Sequence, residues 1–332
     1  MKQKIFKGLL VALVLFATIV IALLSYVKFV LPNVGPPPEL SIEANPTKIE
    51  RGKYLAHHVA VCMSCHSERD WSKFAGPTVA GTYGGGGELF DIGIGQYTAR
   101  NITPKHLGNW TDGEIFRAIT CGVTKDGNAL FPLMPYDNYG KMDKEDIYAI
   151  IAYIKSLPAI NEGITTPSTS NFPMNFIINT IPQKSDFQSI PDKTNEVDYG
   201  KYLTTMASCA HCHTPQDEKG EFIEELEFAG GMEFPIETGG VVRSSNITPD
   251  KKTGIGTWSK DVFVQRFKSF ADSSFTPTPI AAGDFNTVMP WTEYAGMEIE
   301  DLEAIYTYLQ SLKPVEHTVS RFDKQPIADI GE

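Results

Sequence analysis

The chain has 332 residues, of which 42% are hydrophobic, with 28 glycines, 22 prolines and a formal net charge of −11. That hydrophobic content can build two small cores, and the glycine and proline content predicts much irregular loop. Residues 1–31 hold four lysines and no acids, so the rest of the chain carries 25 basic against 40 acidic residues. This acidic surplus argues against nucleic acid as a partner.

The first predicted element is a transmembrane helix at residues 8–27, after a short stub at 1–7. The segment is uncharged and mostly apolar, and its length is sufficient to cross a bilayer. Three lysines precede it, so the positive-inside rule keeps the stub in the cytoplasm and exports the remaining chain. A cleaved signal peptide is the alternative, but its apolar core is usually shorter and ends in small residues of the A-x-A kind. We therefore expect a single-pass anchor in the cytoplasmic membrane, with the rest of the chain on the periplasmic side.

A proline-rich linker at 28–47 follows the predicted anchor. It contains LPNVGPPPEL, and such a sequence favours an extended and rather stiff conformation. We expect this linker to lift the first domain off the membrane.

The motif VCMSCH places Cys62 and Cys65 three positions apart, with His66 directly behind them. A zinc half-site and a thioredoxin-like redox pair both use C-x-x-C, but a histidine directly after the second cysteine is typical of haem c attachment. Two cysteines at this spacing can add as thioethers to the two vinyl groups of one porphyrin. The next side chain then lies under the iron, which makes His66 the predicted proximal ligand.

The same motif occurs again at Cys209, Cys212 and His213 within a longer repeat. Three blocks recur in the same order, at a period of roughly 150 residues that suits one small domain with its linker. They pair RGKYLAHHVAVCMSCH with YGKYLTTMASCAHCH, ARNITP with SSNITP, and LMPYDNYGKM with VMPWTEYAGM. The sequence thus predicts a first repeat at 48–158, an interdomain linker at 159–195, a second repeat at 196–314 and a C-terminal tail at 315–332.

Each repeat is predicted to be mostly helical. Apolar residues recur at three- and four-residue intervals near its end, which indicates an amphipathic helix. They are Ile147, Ile150, Ile151, Ile154 and Leu157 in the first repeat, and Leu302, Ile305, Tyr306, Leu309 and Leu312 in the second. The segment before each CxxCH also reads as a helix, and its glycine, Gly52 or Gly200, would allow close contact with the terminal helix. Strand signals are sparse, and we expect long glycine-rich loops and a haem at the centre of each domain.

Met134 and Met289 are the predicted sixth ligands of the two irons. They occupy matched positions behind the CxxCH motifs, and each is followed by proline and an aromatic residue. A thioether is a suitable haem ligand, and the proline fixes the backbone beside it. Cys121 is the one cysteine outside the two motifs, and we expect a buried, inert thiol. A reactive thiol or a thiolate ligand to iron is the alternative for Cys121.

CxxCH, a central NITP followed by tryptophan, and Met-Pro-aromatic before a final helix resemble the tandem cytochrome c domains of membrane-bound alcohol and gluconate dehydrogenase cytochrome subunits. The resemblance implies a mostly α protein with two tandem class I cytochrome c domains behind an N-terminal transmembrane helix. It implies two covalently bound haem c groups, held by Cys62, Cys65, His66 and Met134, and by Cys209, Cys212, His213 and Met289. Trp110, Trp258, Arg100 or Arg243 and the NITP loops would approach the haem propionates.

Two functions follow from these patterns. A membrane-anchored dihaem cytochrome c would pass single electrons between a dehydrogenase or respiratory donor and a downstream acceptor, without catalytic residues of its own. The alternative is a dihaem redox enzyme, such as a peroxidase or thiosulfate dehydrogenase, which needs an iron with an open or thiolate-ligated position. Matched methionines on both irons favour the electron-transfer protein, whose partners would be a dehydrogenase, respiratory complex or oxidase.

Overall fold

A computed structural model describes residues 2–236, 238–271 and 274–324 and is mostly helical. It begins with helix α1 (Lys2–Phe29), which extends the predicted segment at both ends. The side chains of α1 are exposed almost throughout, and the helix is long and apolar enough to cross a membrane. These properties are consistent with an anchor and with a signal sequence.

The remaining elements follow the order of the two repeats. The helices of the first repeat and the linker behind it are α2 (Pro46–Tyr54), α3 (Cys62–Cys65), α4 (Pro104–Leu107), α5 (Asp112–Cys121), α6 (Tyr136–Tyr139), α7 (Lys144–Ser156) and α8 (Met174–Ile177). Those of the second are α9 (Glu196–Met206), α10 (Cys209–His213), α11 (Lys260–Lys268), α12 (Trp291–Tyr294) and α13 (Ile299–Ser311). The predicted terminal helices are therefore confirmed as α7 and α13.

The helix before each CxxCH packs closely on the terminal helix of its own repeat. A Cβ atom at Gly52 would lie 1.8 Å from the carbonyl oxygen of Ala149, and one at Gly200 would lie 2.0 Å from that of Ala304. No side chain fits at such distances, so only glycine lets the two backbones approach. The predicted role of both glycines is confirmed.

A π-helical turn at Leu55–Val59 distinguishes the first repeat from the second. The first repeat has one residue more between Gly52 and Cys62 than the second repeat has between Gly200 and Cys209. A π turn accommodates such an insertion because it closes a wider ring of backbone, here from the N–H of Ala60 to the carbonyl of Leu55 at 2.8 Å. The CxxCH motif consequently keeps its position relative to the helix pair.

Each repeat also carries a small antiparallel sheet that the sequence did not predict. The strands are β1 (Leu89–Asp91), β2 (Gly95–Thr98) and β3 (Thr169–Ser170) in the first sheet, and β4 (Glu233–Pro235), β5 (Val241–Arg243) and β6 (Phe322–Asp323) in the second. β1 lies within a predicted glycine-rich loop. The third strands come from the predicted interdomain linker and the predicted tail, so both segments contribute to the folded units.

The proline-rich linker packs against the first repeat. The backbone N–H of Ile42 donates to the carboxylate of Asp112 at 2.7 Å, and the carbonyl of Pro38 lies where a Cβ of Gly113 would be. Leu40 and Ile42 contact the hydrophobic core. This packing was not expected from the sequence, and the role of the linker in lifting the first domain off the membrane stays a prediction.

The two repeats share one hydrophobic core and a hydrogen-bonded interface. Helix α12 packs on the π turn of the first repeat, and α6 packs on α9. Two tyrosines, Tyr54 and Tyr202, occupy matched positions, and each donates its hydroxyl to an aspartate of the other repeat. The interface therefore has approximate two-fold symmetry.

Candidate haem sites

Each CxxCH motif begins a short helix directly after a residue in the left-handed conformation. Val61 has φ 45° before α3, and Ser208 has φ 55° before α10. A non-glycine residue in this region is uncommon, and a β-branched one is an outlier. Such strain persists only where the surroundings hold it, and it is concentrated at functional sites. Its recurrence at matched positions marks both motifs as sites.

The four motif cysteines carry neutral, unpaired thiols. All five cysteines of the chain are free. Burial raises the pKa of Cys62 to about 12 and that of Cys65 to about 11, and it raises the pKa of Cys209 to about 12 and that of Cys212 to about 11. Redox-active and metal-binding cysteines require the opposite shift. Among the described residues, no three or more His, Cys, Asp or Glu side chains converge as a metal site would. The raised pKa values of the thiols disfavour the zinc and thiol-redox alternatives, because both need thiolates.

The two motif histidines are held in the same way. His66 Nδ1 lies 2.7 Å from the carbonyl oxygen of Arg100, and His213 Nδ1 lies 2.7 Å from that of Ser245. A carbonyl only accepts, so Nδ1 carries the proton and the lone pair of Nε2 stays free. Burial lowers the pKa of both histidines and favours this neutral form. An imidazole oriented through Nδ1 is the usual arrangement of a metal-binding histidine.

The NITP loop supplies these carbonyl groups, a role that sequence reasoning missed. Arg100 and Ser245 each come directly before NITP. In the first loop Asn101 Oδ1 accepts hydrogen bonds from the backbone N–H and the hydroxyl of Thr103, at 2.8 and 2.7 Å, and the second loop repeats the pattern. The loop is therefore rigid behind the histidine. Its repeated sequence was the available signal, but the residue that contacts the histidine uses only its backbone.

The predicted propionate role does not fit Arg243. Its guanidinium pairs with Glu233 at 2.6 Å and with Asp323 at 2.6 Å, next to the second sheet. Trp110 and Trp258 do pack against the hydrophobic core. Their approach to a propionate stays a prediction.

Both candidate methionines lie in the same tight turn. The carbonyl of Met134 accepts the backbone N–H of Tyr136 at 2.7 Å, and that of Met289 accepts the N–H of Trp291 at 2.8 Å. The proline at the centre of each turn has similar backbone angles: Pro135 has φ −77° and ψ 59°, and Pro290 has φ −79° and ψ 67°. These are the angles of an inverse γ-turn, and the ring of proline presets the first of them. Both methionines are partly buried against the core.

A buried tyrosine ties each methionine loop to its CxxCH motif. Tyr139 and Tyr294 occupy matched positions, five residues after the methionine. Their hydroxyls donate to the carbonyls of Ala60 and Ala207, at 2.9 and 2.8 Å. Each of these carbonyls lies two residues before the first cysteine of the motif. The tyrosines were not singled out from the sequence, although they recur in the third repeated block.

Cys121, His57 and His58 have structural partners. Cys121 Sγ lies 3.2 Å from Ser185 Oγ at the end of α5, and Cys121 is buried. His57 Nε2 lies 2.6 Å from the hydroxyl of Tyr153, and His58 Nδ1 lies 2.8 Å from the carbonyl of Glu293. These contacts account for side chains that could otherwise compete as iron ligands.

The donor set in each repeat fits haem c. It offers two neutral thiols, an imidazole with a free Nε2, and a thioether on a constrained turn. Zinc would instead require thiolates. The structure gives this set twice, with the same hydrogen bonds around it.

The comparisons with known proteins point the same way, although no family model matches the chain. The chain is 29% identical over 302 residues to the cytochrome c subunit of a quinone alcohol dehydrogenase from Gluconacetobacter polyoxogenes, covering 86% of this chain and 60% of the relative. It is 28% identical over 301 residues to a gluconate 2-dehydrogenase cytochrome c subunit from Pantoea cypripedii, covering 85% of this chain and 64% of that subunit.

A third relative is a dihaem c-type cytochrome from Cereibacter sphaeroides, 26% identical over 265 residues. That match covers 77% of this chain and 83% of the relative. The chain thus spans about 60% of the length of the dehydrogenase subunits that it matches. The chain is homologous to cytochrome c subunits of quinone alcohol and gluconate dehydrogenases and to a dihaem cytochrome c.

Proposed function

We propose that this chain is a membrane-anchored dihaem cytochrome c that passes single electrons between a dehydrogenase or respiratory donor and a downstream acceptor. The observation that carries the proposal is the twofold construction of one site. Each copy has a carbonyl-held histidine, two neutral thiols and a methionine on an inverse γ-turn. A protein with two such sites is suited to electron transfer.

We assign the two sites to two class I cytochrome c domains, at 48–158 and 196–314. In the first, Cys62 and Cys65 would form the thioethers, with His66 and Met134 as axial ligands. The corresponding residues of the second domain are Cys209, Cys212, His213 and Met289. A bound haem c supplies an iron that gains or loses one electron. Ligation by methionine and histidine raises the reduction potential of such an iron. His66 and Met134, and likewise His213 and Met289, would then fill the positions at the iron that a substrate would need.

Helix α1 would anchor both domains to the cytoplasmic membrane from its periplasmic side. Its side chains are exposed to a degree that suits lipid and not water. One further observation supports export: three lysines precede the helix, and the positive-inside rule keeps them in the cytoplasm. Attachment of haem c takes place on that side of the membrane.

The known relatives suggest the proposed partner. Three of the relatives are cytochrome subunits of alcohol, gluconate and fructose dehydrogenases. By analogy this chain would accept electrons from a dehydrogenase that oxidises a small alcohol or sugar acid. Its acidic surplus would favour a basic acceptor, with a rate of transfer that falls as salt is added.

The dihaem-enzyme alternative depends on Cys121. A thiolate ligand to iron would have to leave the contact with Ser185 and the end of α5. No observation favours this rearrangement, and both methionine turns are intact.

The test is a comparison of outer-sphere transfer with turnover, using the full chain purified in mild detergent with its covalent haems. We expect rapid electron exchange with small redox mediators and negligible peroxidase or thiosulfate dehydrogenase activity. Cys121→Ser should leave the spectra and both rates unchanged. Substantial turnover that disappears in Cys121→Ser would contradict the electron-carrier function and support the dihaem enzyme. A dehydrogenase identified among co-purifying proteins would define the donor.

A further inference from the structure

An exposed apolar patch surrounds the point where α1 ends. We call it the foot patch and define it by Phe29, Ile92, Ile94, Phe172 and Ile177. Their exposed fractions are 83%, 42%, 40%, 81% and 45%. Isolated exposed apolar side chains are ordinary, but a grouped set marks a surface that binds something.

The patch is built from three segments that are distant in sequence. The turn between β1 and β2 carries Ile92 and Ile94, and Asn171 fastens the start of the next segment to it. The Asn171 backbone N–H donates to the carbonyl of Ile94 at 2.8 Å, and its side-chain amide donates to that of Gly93 at 3.0 Å. Phe172 follows directly. The hairpin turn and Phe172 therefore belong to one surface.

The third segment is the C-terminal end of α1. Helix α8, directly behind Phe172, packs on α1. The ring of Phe176 lies 6.0 Å from Lys28 Nζ and 6.4 Å from the ring of Phe172. These contacts put the foot patch level with Lys28 and Phe29, where an anchored α1 would leave the hydrocarbon.

The packed linker adds to this placement. Because the segment after α1 lies along α5 and does not extend as a spacer, the first repeat stays beside the end of the helix. Within this linker, the backbone N–H of Ile42 donates to Asp112, and the carbonyl of Pro38 contacts Gly113. The first repeat is thus close enough for its foot patch to reach the same bilayer.

We propose that the foot patch is immersed in the headgroup and upper acyl region of the membrane that α1 crosses. A surface that binds there presents large apolar side chains to lipid and keeps basic groups among the headgroups. The foot patch has both, with Lys28 as the basic group beside it. This second contact would fix the tilt of the first repeat and direct the second repeat toward the aqueous phase. The proposal rests on the proposed anchoring by α1.

The test is the depth of spin labels in the full, haem-loaded chain. Single cysteines replace Phe172, Ile177, Val262 or Leu15 in a Cys121→Ser background, and the protein is placed in nanodiscs of phosphatidylethanolamine and phosphatidylglycerol. Val262 is the matched control, since it is an exposed apolar residue of the second repeat at 51% exposure. Leu15 reports the anchor. Collision with oxygen, which enters lipid, is compared with collision with a water-soluble nickel chelate.

We expect the labels at 172 and 177 to collide several-fold more with oxygen, relative to the chelate, than the label at 262 does. The proposal would be overturned if the labels at 172 and 177 showed the same ratio of oxygen to chelate collision as the label at 262, while the label at 15 was shielded from the chelate. The foot patch would then face water or a protein partner. A label at 15 that is open to the chelate would overturn the anchor and this proposal together. All four positions are exposed, so the substitutions leave the core intact.

Discussion

The hydroxyl of Tyr54 donates to Asp301 at 2.7 Å, across the interface between the two repeats. The matched Tyr202 donates to Asp146 at 2.8 Å in the opposite direction. Both aspartates are almost completely buried. Each tyrosine oxygen also accepts a backbone N–H from the start of the opposite terminal helix, at 3.0 and 3.2 Å. These hydrogen bonds bind the first repeat to α13 and the second repeat to α7. They should therefore hold the two candidate haem sites at a fixed separation.

Removal of either tyrosine hydroxyl should destabilise the protein, and by unequal amounts. Tyr54→Phe and Tyr202→Phe each leave a buried carboxylate short of a donor, which costs about 1–3 kcal/mol. Asp146 keeps two hydrogen bonds from Arg51, at 2.9 and 3.0 Å, whereas Asp301 keeps one from a neutral tyrosine at 3.0 Å and a lysine at 3.7 Å. Tyr54→Phe should therefore cost more. Guanidinium unfolding followed by circular dichroism measures both.

Tyr148→Phe is the control for this pair, since Tyr148 is half-buried on α7 and its ring contacts Phe116. It should change the unfolding midpoint little. An equal loss in all three variants, or no loss in Tyr54→Phe, would show that the exchanged hydrogen bonds do not stabilise the interface.

The tyrosines that tie the methionine loops should control how easily each methionine is displaced. Tyr139→Phe and Tyr294→Phe remove the hydroxyl that holds Ala60 or Ala207, at a cost of about 1 kcal/mol. If that hydrogen bond steadies the turn, imidazole should bind the iron of the affected repeat about fivefold more tightly, since 1.4 kcal/mol is a factor of ten. Spectroscopic titration of each variant measures the affinity, and the unaffected repeat is the internal control. Affinities equal to those of the unmodified protein at both irons would contradict the proposed tie.

Acid should weaken the fold partly through His57. Its Nε2 lies 2.6 Å from the hydroxyl of Tyr153 and its ring packs on Tyr83. Burial, aided by the nearby His58 and Lys53, lowers the pKa of His57 to about 4, against about 6.5 in an unfolded chain. Between pH 6.5 and 4 the unfolded chain thus binds the proton first, so the free energy of unfolding falls as the pH falls through that window.

His57→Gln lacks this proton uptake and should lose less stability across the same window. Denaturant midpoints at pH 6.5 and 4.5, taken for both proteins, give the difference. Equal losses in the two proteins would mean that His57 is accessible to protons in the folded state.

The sequence predicted the features that depend on residue type at short range. The CxxCH motifs and the terminal helices α7 and α13 are of this kind. The contacts of Gly52 and Gly200 reach a distant helix, and they were predicted because only glycine allows two helices to approach so closely. The small sheets were missed because their strands have two to four residues, and because the third strand of each sheet pairs across a long separation, as Gly95 does with Ser170. The packing of the linker was not predicted because its composition does not reveal the partner of Ile42.

Two parts of the candidate sites lie beyond residue type altogether. Arg100 and Ser245 share no side-chain chemistry, and they act alike because each offers a backbone carbonyl to a histidine. The exchange between Tyr54 and Asp301 requires the packing of one repeat on the other. Axial ligation by the two methionines stays a prediction.

We expect Met134 and Met289 each to bind one haem iron. The most direct measurement is the near-infrared charge-transfer absorption of sulfur bound to ferric haem, recorded on the oxidised full chain together with its haem content. We expect two haems per chain and the band for both. Met134→Leu and Met289→Leu should each remove about half of it, because each repeat supplies one ligand of the class that gives this absorption.

Met142→Leu is the matched control, since Met142 is a core methionine with 1% exposure, and it should keep the full band. The account predicts half of the band in each ligand variant and all of it in the control. A full band in Met134→Leu or in Met289→Leu would contradict it.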